Sequence, residues 1–403
     1  MDKKWMERPQ LSGKNLEIFY SRDKCNWDFT PLLDEFEKYQ QDFFDRYNIK
    51  KRQLNEPIKA YFVSRSEWDD LKKDKSAFYS FYYDKNFDYP WEISELIWSL
   101  INKTEIKNSC ILDGITDYYG QKIVYGKDFE KAFEHLYIKK IINPTFASKD
   151  DSFKKAKSFV VVKYLLDNNV AVDWEKITEK QINEYYLSAK KYYDKKFDIK
   201  SIPKSVDDIK SISDVLRFID KNMCIGYVSK DNEITVDGFK GIHTNYRLQS
   251  PQEALSSHVG TCAEYAGVCK YILDKLSIES KIFYFANYDK LDKSNNYEEL
   301  SSHFAVFFRA KEGWINIEAA NMTCLGIKKF EDISDGVTFK GKQMYYRENF
   351  DIYEIDTLPF GCDYVGLYDN CAKNKRISYK GDSAKNLRVE YGREIENSKN
   401  KSY

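Results

Sequence analysis

Apolar positions recur at helical spacing over long parts of the chain and at strand spacing over shorter parts. Thr30–Tyr47 reads as a helix, and the run Ile58-Lys59-Ala60-Tyr61-Phe62-Val63 reads as a strand. Helical patterns follow at Glu92–Asn102, Asp128–Ile142, Asp151–Asn168 and Glu179–Phe197. Asp198–Ser205, with Pro203, reads as a linker. Beyond it, Val206–Asn222 carries Ile209, Ile212, Val215, Leu216 and Ile219 at the three-four spacing of a one-sided helix. A second helix, Cys262–Leu276, opens after Gly260-Thr261, and strands follow at Lys281–Phe285, His303–Arg309 and Trp314–Ala319. The pattern predicts a mainly helical domain with a small sheet over residues 1–200 and an α+β domain over 206–345. Residues 346–403 read as a polar extension whose end, Glu394–Tyr403, is expected to be disordered.

Size and charge narrow the choices. A chain of 403 residues exceeds one ordinary core. Lys+Arg and Asp+Glu both number 64, so the surplus of cations that a sequence-independent grip on nucleic acid requires is missing. The basic stretch Lys373-Asn374-Lys375-Arg376 reads as solvated surface among acidic neighbours. No run reaches the roughly 18 apolar residues that span a bilayer. Met1–Pro9 is followed by no apolar stretch, so the expectation is a soluble, cytoplasmic protein without a secretory signal. The eight cysteines, at 25, 110, 224, 262, 269, 324, 362 and 371, include no C-x-x-C pair, which favours free thiols.

One of those thiols stands apart. Cysteine attacks as its thiolate, and a helix start favours that anion through its unpaired N–H groups and dipole. Cys262 occupies such a start. His303, one of only four histidines, lies on a strand where Phe304, Val306 and Phe308 point the other way. A two-residue turn at Lys311-Glu312 would set Glu318 opposite Ala305 and diagonal to His303, with Asn316 nearby, over an apolar underside. An imidazole that takes the thiol proton and a carboxylate that fixes its tautomer are what nucleophilic catalysis asks for. The Cys262 backbone N–H is one candidate oxyanion donor, and a side-chain donor is sought among Tyr246, Gln249 and His258. His258 also suits a plain loop role.

Gly260-Thr261-Cys262-Ala263-Glu264-Tyr265-Ala266, then Leu276-Ser277-Ile278-Glu279-Ser280-Lys281, then His303, Trp314 and Glu318, resemble the core of the transglutaminase-like superfamily. Ser250-Pro251-Gln252-Glu253-Ala254-Leu255 is similar to the family's lead-in to its cysteine. The resemblance implies a papain-like fold, a Cys-bearing helix packed on an antiparallel sheet, with Cys262 as nucleophile, His303 as base and Glu318 as its orienter. It further implies an amide hydrolase, protease or acyltransferase acting on a peptide or protein, with no cofactor. Two features depart from the family. Glutamate stands where aspartate is common, and Ala305-Val306-Phe307 replaces the tryptophan-x-glutamate run after the histidine.

In the N-terminal half, Ile58–Leu71, Trp91–Trp98 and Ile111–Tyr119 are similar to a gluzincin-type metallopeptidase without its metal. Ser94-Glu95-Leu96-Ile97-Trp98 stands where H-E-x-x-H would be, and Asp113 where the glutamate ligand would be. Without the two imidazoles zinc lacks a ligand set, so a binding role is implied. An unrelated helical domain is the plainer reading. The alternative for the whole chain is a non-catalytic peptide- or protein-binding module built from decayed peptidase domains. Cys269, two turns beyond Cys262, reads as core, and Cys362 and Cys371 lack the second pair of a zinc site. Gly336, Gly341 and Lys342 have phosphate-loop spacing, but Gln343 replaces the required Ser or Thr.

Overall fold

The computed structural model describes residues 6–21, 29–47, 57–63, 78–81, 108–147, 150–236, 238–287, 301–311, 313–317, 329–345 and 351–377. The chain is mixed α+β. It divides into two compact units, Met1–Phe129 with Lys154–Tyr192, and Glu130–Phe153 with Tyr193–Tyr403.

The first unit holds a four-stranded sheet. β1 (Leu11–Ser12) and β2 (Leu16–Phe19) pair antiparallel, α1 (Thr30–Tyr47) follows, and β3 (Ile58–Val63) and β4 (Phe78–Phe81) continue in parallel. A parallel step needs a crossover, and α1 provides it between β2 and β3. Its Leu32 and Phe36 are buried, as are Leu16, Ile18 and Phe62 of the strands. Phe29, just ahead of the helix, packs its ring 4.6 Å from Tyr20 and from Phe62. Helix α2 (Ser109–Tyr125) opens at Asn108, whose Oδ1 accepts from the N–H groups of Cys110 and Ile111. Most of α5 (Asp150–Asp167) and of α6 (Glu179–Lys196) belong to the same unit, whereas α3 (Phe129–Tyr137), from Glu130 on, and α4 (Pro144–Ala147) belong to the second. A Cβ at Gly114 of α2 would stand 2.5 Å from the Ser158 carbonyl oxygen of α5, so that helix contact depends on the absent side chain. The Trp91–Trp98 segment, with the degenerate metal-motif positions, lies outside the described residues.

Two expected helices are broken. Asp128–Ile142 resolves into α3 and a π-helical turn at Ile138–Ile142. Val206–Asn222 becomes a short 3-10 turn at Val206–Asp208 and then α7 (Ile212–Asn222). The sequence carries two successive Ser-x-x-Asp starts, and each caps its own helix: Ser205 with Asp208, and Ser211, whose Oγ accepts from the Asp214 N–H. The expected linker at Asp198–Ser205 is also fixed in place. The Arg217 guanidinium donates to the carbonyls of Phe197 and Asp198 and to Ser201 Oγ.

The second unit is built on two sheets. A small one joins β5 (Cys224–Val228) to β6 (Ile234–Val236), with short helices α8 (Ile242–Asn245) and α9 (Pro251–Ser257) leading into β7 (Val259–Gly260), parallel to β5. Helix α10 (Cys262–Lys275) follows directly. The larger sheet contains β8 (Ser280–Asn287), β9 (Ser301–Ala310), β10 (Gly313–Ile317) and β11 (Lys329–Phe330), then, after α11 (Ile333–Tyr345), β12 (Asp351–Ile355). Helix α12 (Tyr364–Cys371) and β13 (Lys375–Ile377) complete it, in the all-antiparallel order β11-β10-β9-β8-β12-β13.

Both faces of this sheet are covered. Ile282, Tyr284, Phe304, Val306 and Phe308 share a core with Ala266, Val268, Cys269 and Ile272 of α10. The alternate positions Phe283, Phe285, Ala305, Phe307 and Trp314 pack with Val337 of α11. That is why β9 reads as an almost unbroken apolar run, and it corrects the expectation of one polar face over an apolar underside. The expected C-terminal extension is likewise part of the fold through residue 377, since β12 pairs with β8 from Asp351↔Ala286 to Ile355↔Ile282. Gly336 and Gly341 lie inside α11, so their spacing marks no phosphate loop. No helix among the described residues is long and apolar enough to cross a membrane.

A tight point in the small sheet gives a test. A Cβ at Gly226 would stand 2.0 Å from the Thr235 carbonyl oxygen. Gly226→Ala should therefore lower stability by about 1–3 kcal/mol, read as a shift in the urea midpoint. An unchanged midpoint would contradict the β5–β6 pairing.

Candidate active site around Cys262

The approach to Cys262 is assembled from capping interactions. Ser250 caps α9 with Pro251 at its first position, and Glu253 returns the bond to the Ser250 N–H at 2.8 Å. The helix stops at His258, which takes the left-handed conformation (φ 61°). Gly260 then passes so close to α10 that a Cβ would sit 2.6 Å from Glu264 Cβ. Thr261 caps α10, and its Oγ1 accepts from the Ala263 N–H.

Glu264 closes this cap and is buried. Its carboxylate accepts from the Thr261 N–H (2.8 Å), Thr261 Oγ1 (2.6 Å), the Tyr246 hydroxyl (2.8 Å) and the Gln249 N–H (3.2 Å). Burial raises its pKa; the donors around it pull the other way without cancelling the rise. One carboxylate thus joins the helix start to the two segments that precede it.

Cys262 is the first residue of α10 and is half-buried. Among the described residues its N–H donates to no group, which leaves it available at the helix start. The three side-chain donors expected upstream are instead committed elsewhere. The Tyr246 hydroxyl donates to Glu264. Gln249 is buried; its Nε2 donates to the Val259 carbonyl, and its Oε1 accepts from Ser257 Oγ at 2.6 Å. His258 Nδ1 lies 2.8 Å from the Asn222 carbonyl, which only accepts, so Nδ1 carries the proton and a neutral ring keeps no hydrogen on Nε2. All three build the loop beneath Cys262.

His303 is the third residue of β9, half-buried and paired across the sheet with Phe285. It alternates with Ser302 and Phe304, whereas α10 covers the Phe304 face, so strand alternation alone does not bring His303 to the thiol. The hairpin register follows expectation: Gly313 pairs with Ala310 around a two-residue turn, and the ladder runs to Ile317↔Val306. Glu318, the next residue, lies outside the described residues. Asn316 is turned to the backbone, its Nδ2 donating to the Val306 carbonyl. Cys269 is fully buried in the core. Among the described residues no group of His, Cys, Asp and Glu could hold a metal ion.

The structure adds residues that the sequence reading passed over. Tyr364 and Tyr368 of α12 share the core against which Cys262 packs, with their rings 4.5 Å apart. Tyr368 stacks on Tyr284 and is hydrogen-bonded to Ser302 and Tyr364. Burial pushes both hydroxyls up, and negative charge on Cys262 adds to the effect. The His243 ring packs edge-on to Tyr364 at 4.5 Å, and its Nδ1 is buried with no hydrogen-bond partner among the described residues. The available sequence signal was Tyr364 and Tyr368 one turn apart, after the helix-capping Asp363.

Comparison of the chain with models of known families, with characterised proteins and with solved structures gives no match.

Glu264 supplies the prediction. Glu264→Ala leaves buried donors without an acceptor and should cost about 2–4 kcal/mol. Glu264→Gln keeps the shape but removes the titration. Because the carboxyl pKa is raised from 4.5, its stabilising share is complete below that value and is lost as pH rises through the folded-state pKa. Denaturant midpoints should therefore shift in favour of the glutamine variant with rising pH across that window. A constant difference between the two proteins would refute the linkage.

Proposed function

We propose that this chain is a transglutaminase-like thiol enzyme that cleaves or transfers an acyl group at an amide bond of a peptide or protein. The observation that carries the reading is Cys262 at the first position of a capped, buried helix, half-buried and with its own N–H bonded to no group among the described residues. The order of elements supports it, since α10 is followed by β8 and by the β9–β10 hairpin that carries His303 and leads to Glu318. The papain-like core belongs to the same proposal.

In the reaction, the Cys262 thiolate attacks the carbonyl carbon, and the negative charge moves to the carbonyl oxygen. The Cys262 N–H donates to that oxygen. The His303 imidazole takes the thiol proton and returns it to the leaving amine as the intermediate collapses to a thioester. Water or a second amine then releases the acyl group. Glu318 holds the imidazole in the tautomer that can accept the proton. His303 lies on the sheet face opposite α10, near the start of β9, so its ring must turn over the end of the strand to do this.

Site-resolved alkylation of the native protein across pH tests the pair. Cys262 should react fastest of the cysteines, and His303→Ala should slow that reaction. Cys262→Ala should abolish acyl-enzyme formation from an activated ester. Alkylation of Cys262 no faster than that of its neighbours would overturn the reading.

A further inference from the structure

A group of buried charges that the proposed reaction does not use gathers on Glu130–Phe153, the stretch of α3, π-helical turn and α4 that belongs to the second unit. His135 of α3 has its Nδ1 2.6 Å from the Asp220 carboxylate of α7, and the two side chains are 13 % and 3 % exposed. Asn143, fully buried, donates from Nδ2 to the carbonyls of Asp220 and Met223, each at 3.0 Å. Phe146 of α4 shares a small core with Cys224 and Val228 of β5 and Val259 of β7. The buried Lys139 places its Nζ 5.2 Å from the ring centre of Tyr265, one turn beyond Cys262 in α10.

The loop beneath Cys262 starts where this brace grips. His258 Nδ1 donates to the Asn222 carbonyl at the end of α7, and the Cys224 N–H donates to the His258 carbonyl, both at 2.8 Å. Strand β5 then pairs with β7 through Cys224↔Val259 and Ile225↔Gly260, just ahead of Cys262. Histidine is the side chain whose ordinary range spans neutral pH, and His135 is the histidine of the brace. Around it stand Asp220 from α7, Glu134 from its own helix, which pairs with Arg217 of α7 at 3.2 Å, and Lys139 from the π-helical turn. Cys224 of β5 and Tyr265 of α10 bear on Lys139 in turn. Burial pulls the His135 pKa down. The hydrogen bond and charge of Asp220, with Glu134, outweigh burial and the Lys139 charge, so the net shift is upward from 6.5.

We infer that the buried His135–Asp220 ion pair is a pH-sensitive latch, which holds the end of α7 and through it the loop beneath Cys262, and which weakens when His135 gives its proton to solvent. A neutral Nδ1–H still reaches the carboxylate, but a charge-assisted bond is about twice as strong as a neutral one. Because the His135 pKa is raised, the stabilising share of the pair is complete below 6.5 and is lost as pH rises through the folded-state value. The latch does not depend on the reaction assigned to Cys262. Acid tightens the floor under the thiol whatever the thiol does.

Amide hydrogen exchange in the full-length protein tests this, with each rate divided by that of the unstructured chain so that the intrinsic pH dependence cancels. As pH rises through the His135 titration, followed by NMR of its imidazole, the Cys224 amide should lose protection by about five- to tenfold. Amides of the β8–β9 ladder should keep theirs. His135→Asn retains a donor that does not titrate, so it should hold Cys224 at the weaker, high-pH level throughout. Asp220→Asn should also remove the step and lower the His135 midpoint. Should either variant fail to fold, the wild-type match between the protection step and the imidazole titration still decides. Protection that stays flat in the wild type, a step that persists in His135→Asn, or an equal loss in the β8–β9 ladder would overturn the inference.

Discussion

The buried carboxylate of Glu264 is the constraint from which the rest of the site follows. A carboxylate taken out of water costs several kcal/mol unless its lone pairs are filled. Here they are filled by donors from Thr261, Tyr246 and Gln249, which come from separate parts of the chain. That requirement fixes where α10 begins, how the preceding loop crosses it, and therefore where Cys262 stands. Gly260 follows from the same need, since a side chain there would collide with Glu264.

The same arrangement explains why polar residues before Cys262 are unavailable for chemistry. Buried amides and hydroxyls must be hydrogen-bonded, and in a tight loop the nearest partners are backbone carbonyls. Gln249 and His258 satisfy the carbonyls of Val259 and Asn222. The loop thereby becomes a rigid floor. Any donor aimed at a substrate has to come from another element, and α12 is one that packs in the core beside the thiol.

Much of this was legible in the sequence where the signal was local. The Cys262 helix, the His303 strand and the two-residue turn before Gly313 follow from periodicity and turn chemistry, and the structure differs there by a residue or two. The two Ser-x-x-Asp starts that split Val206–Asn222 were equally local, but the stronger apolar periodicity hid them. Long-range pairing was not legible. Nothing near Tyr364 announces that β12 will join β8, because strand pairing depends on which edges remain open after the rest of the sheet has formed. The two-faced burial of β9 was hidden for a related reason: an apolar run does not say how many helices will cover it.

Chain order then limits how the site can form. The helix start, its loop and the β8–β9–β10 meander are near neighbours in sequence, so their contacts close with little loss of loop entropy. Helix α12 arrives only after β12 has added beside β8, about 70 residues further along. The thiol and its capped helix can therefore exist before the tyrosines reach them. Such a partly assembled chain would hold the capped helix start and its thiol without the aromatic packing that α12 adds to the core around Cys262. Helix α12 would then be the element that completes the packing around Cys262.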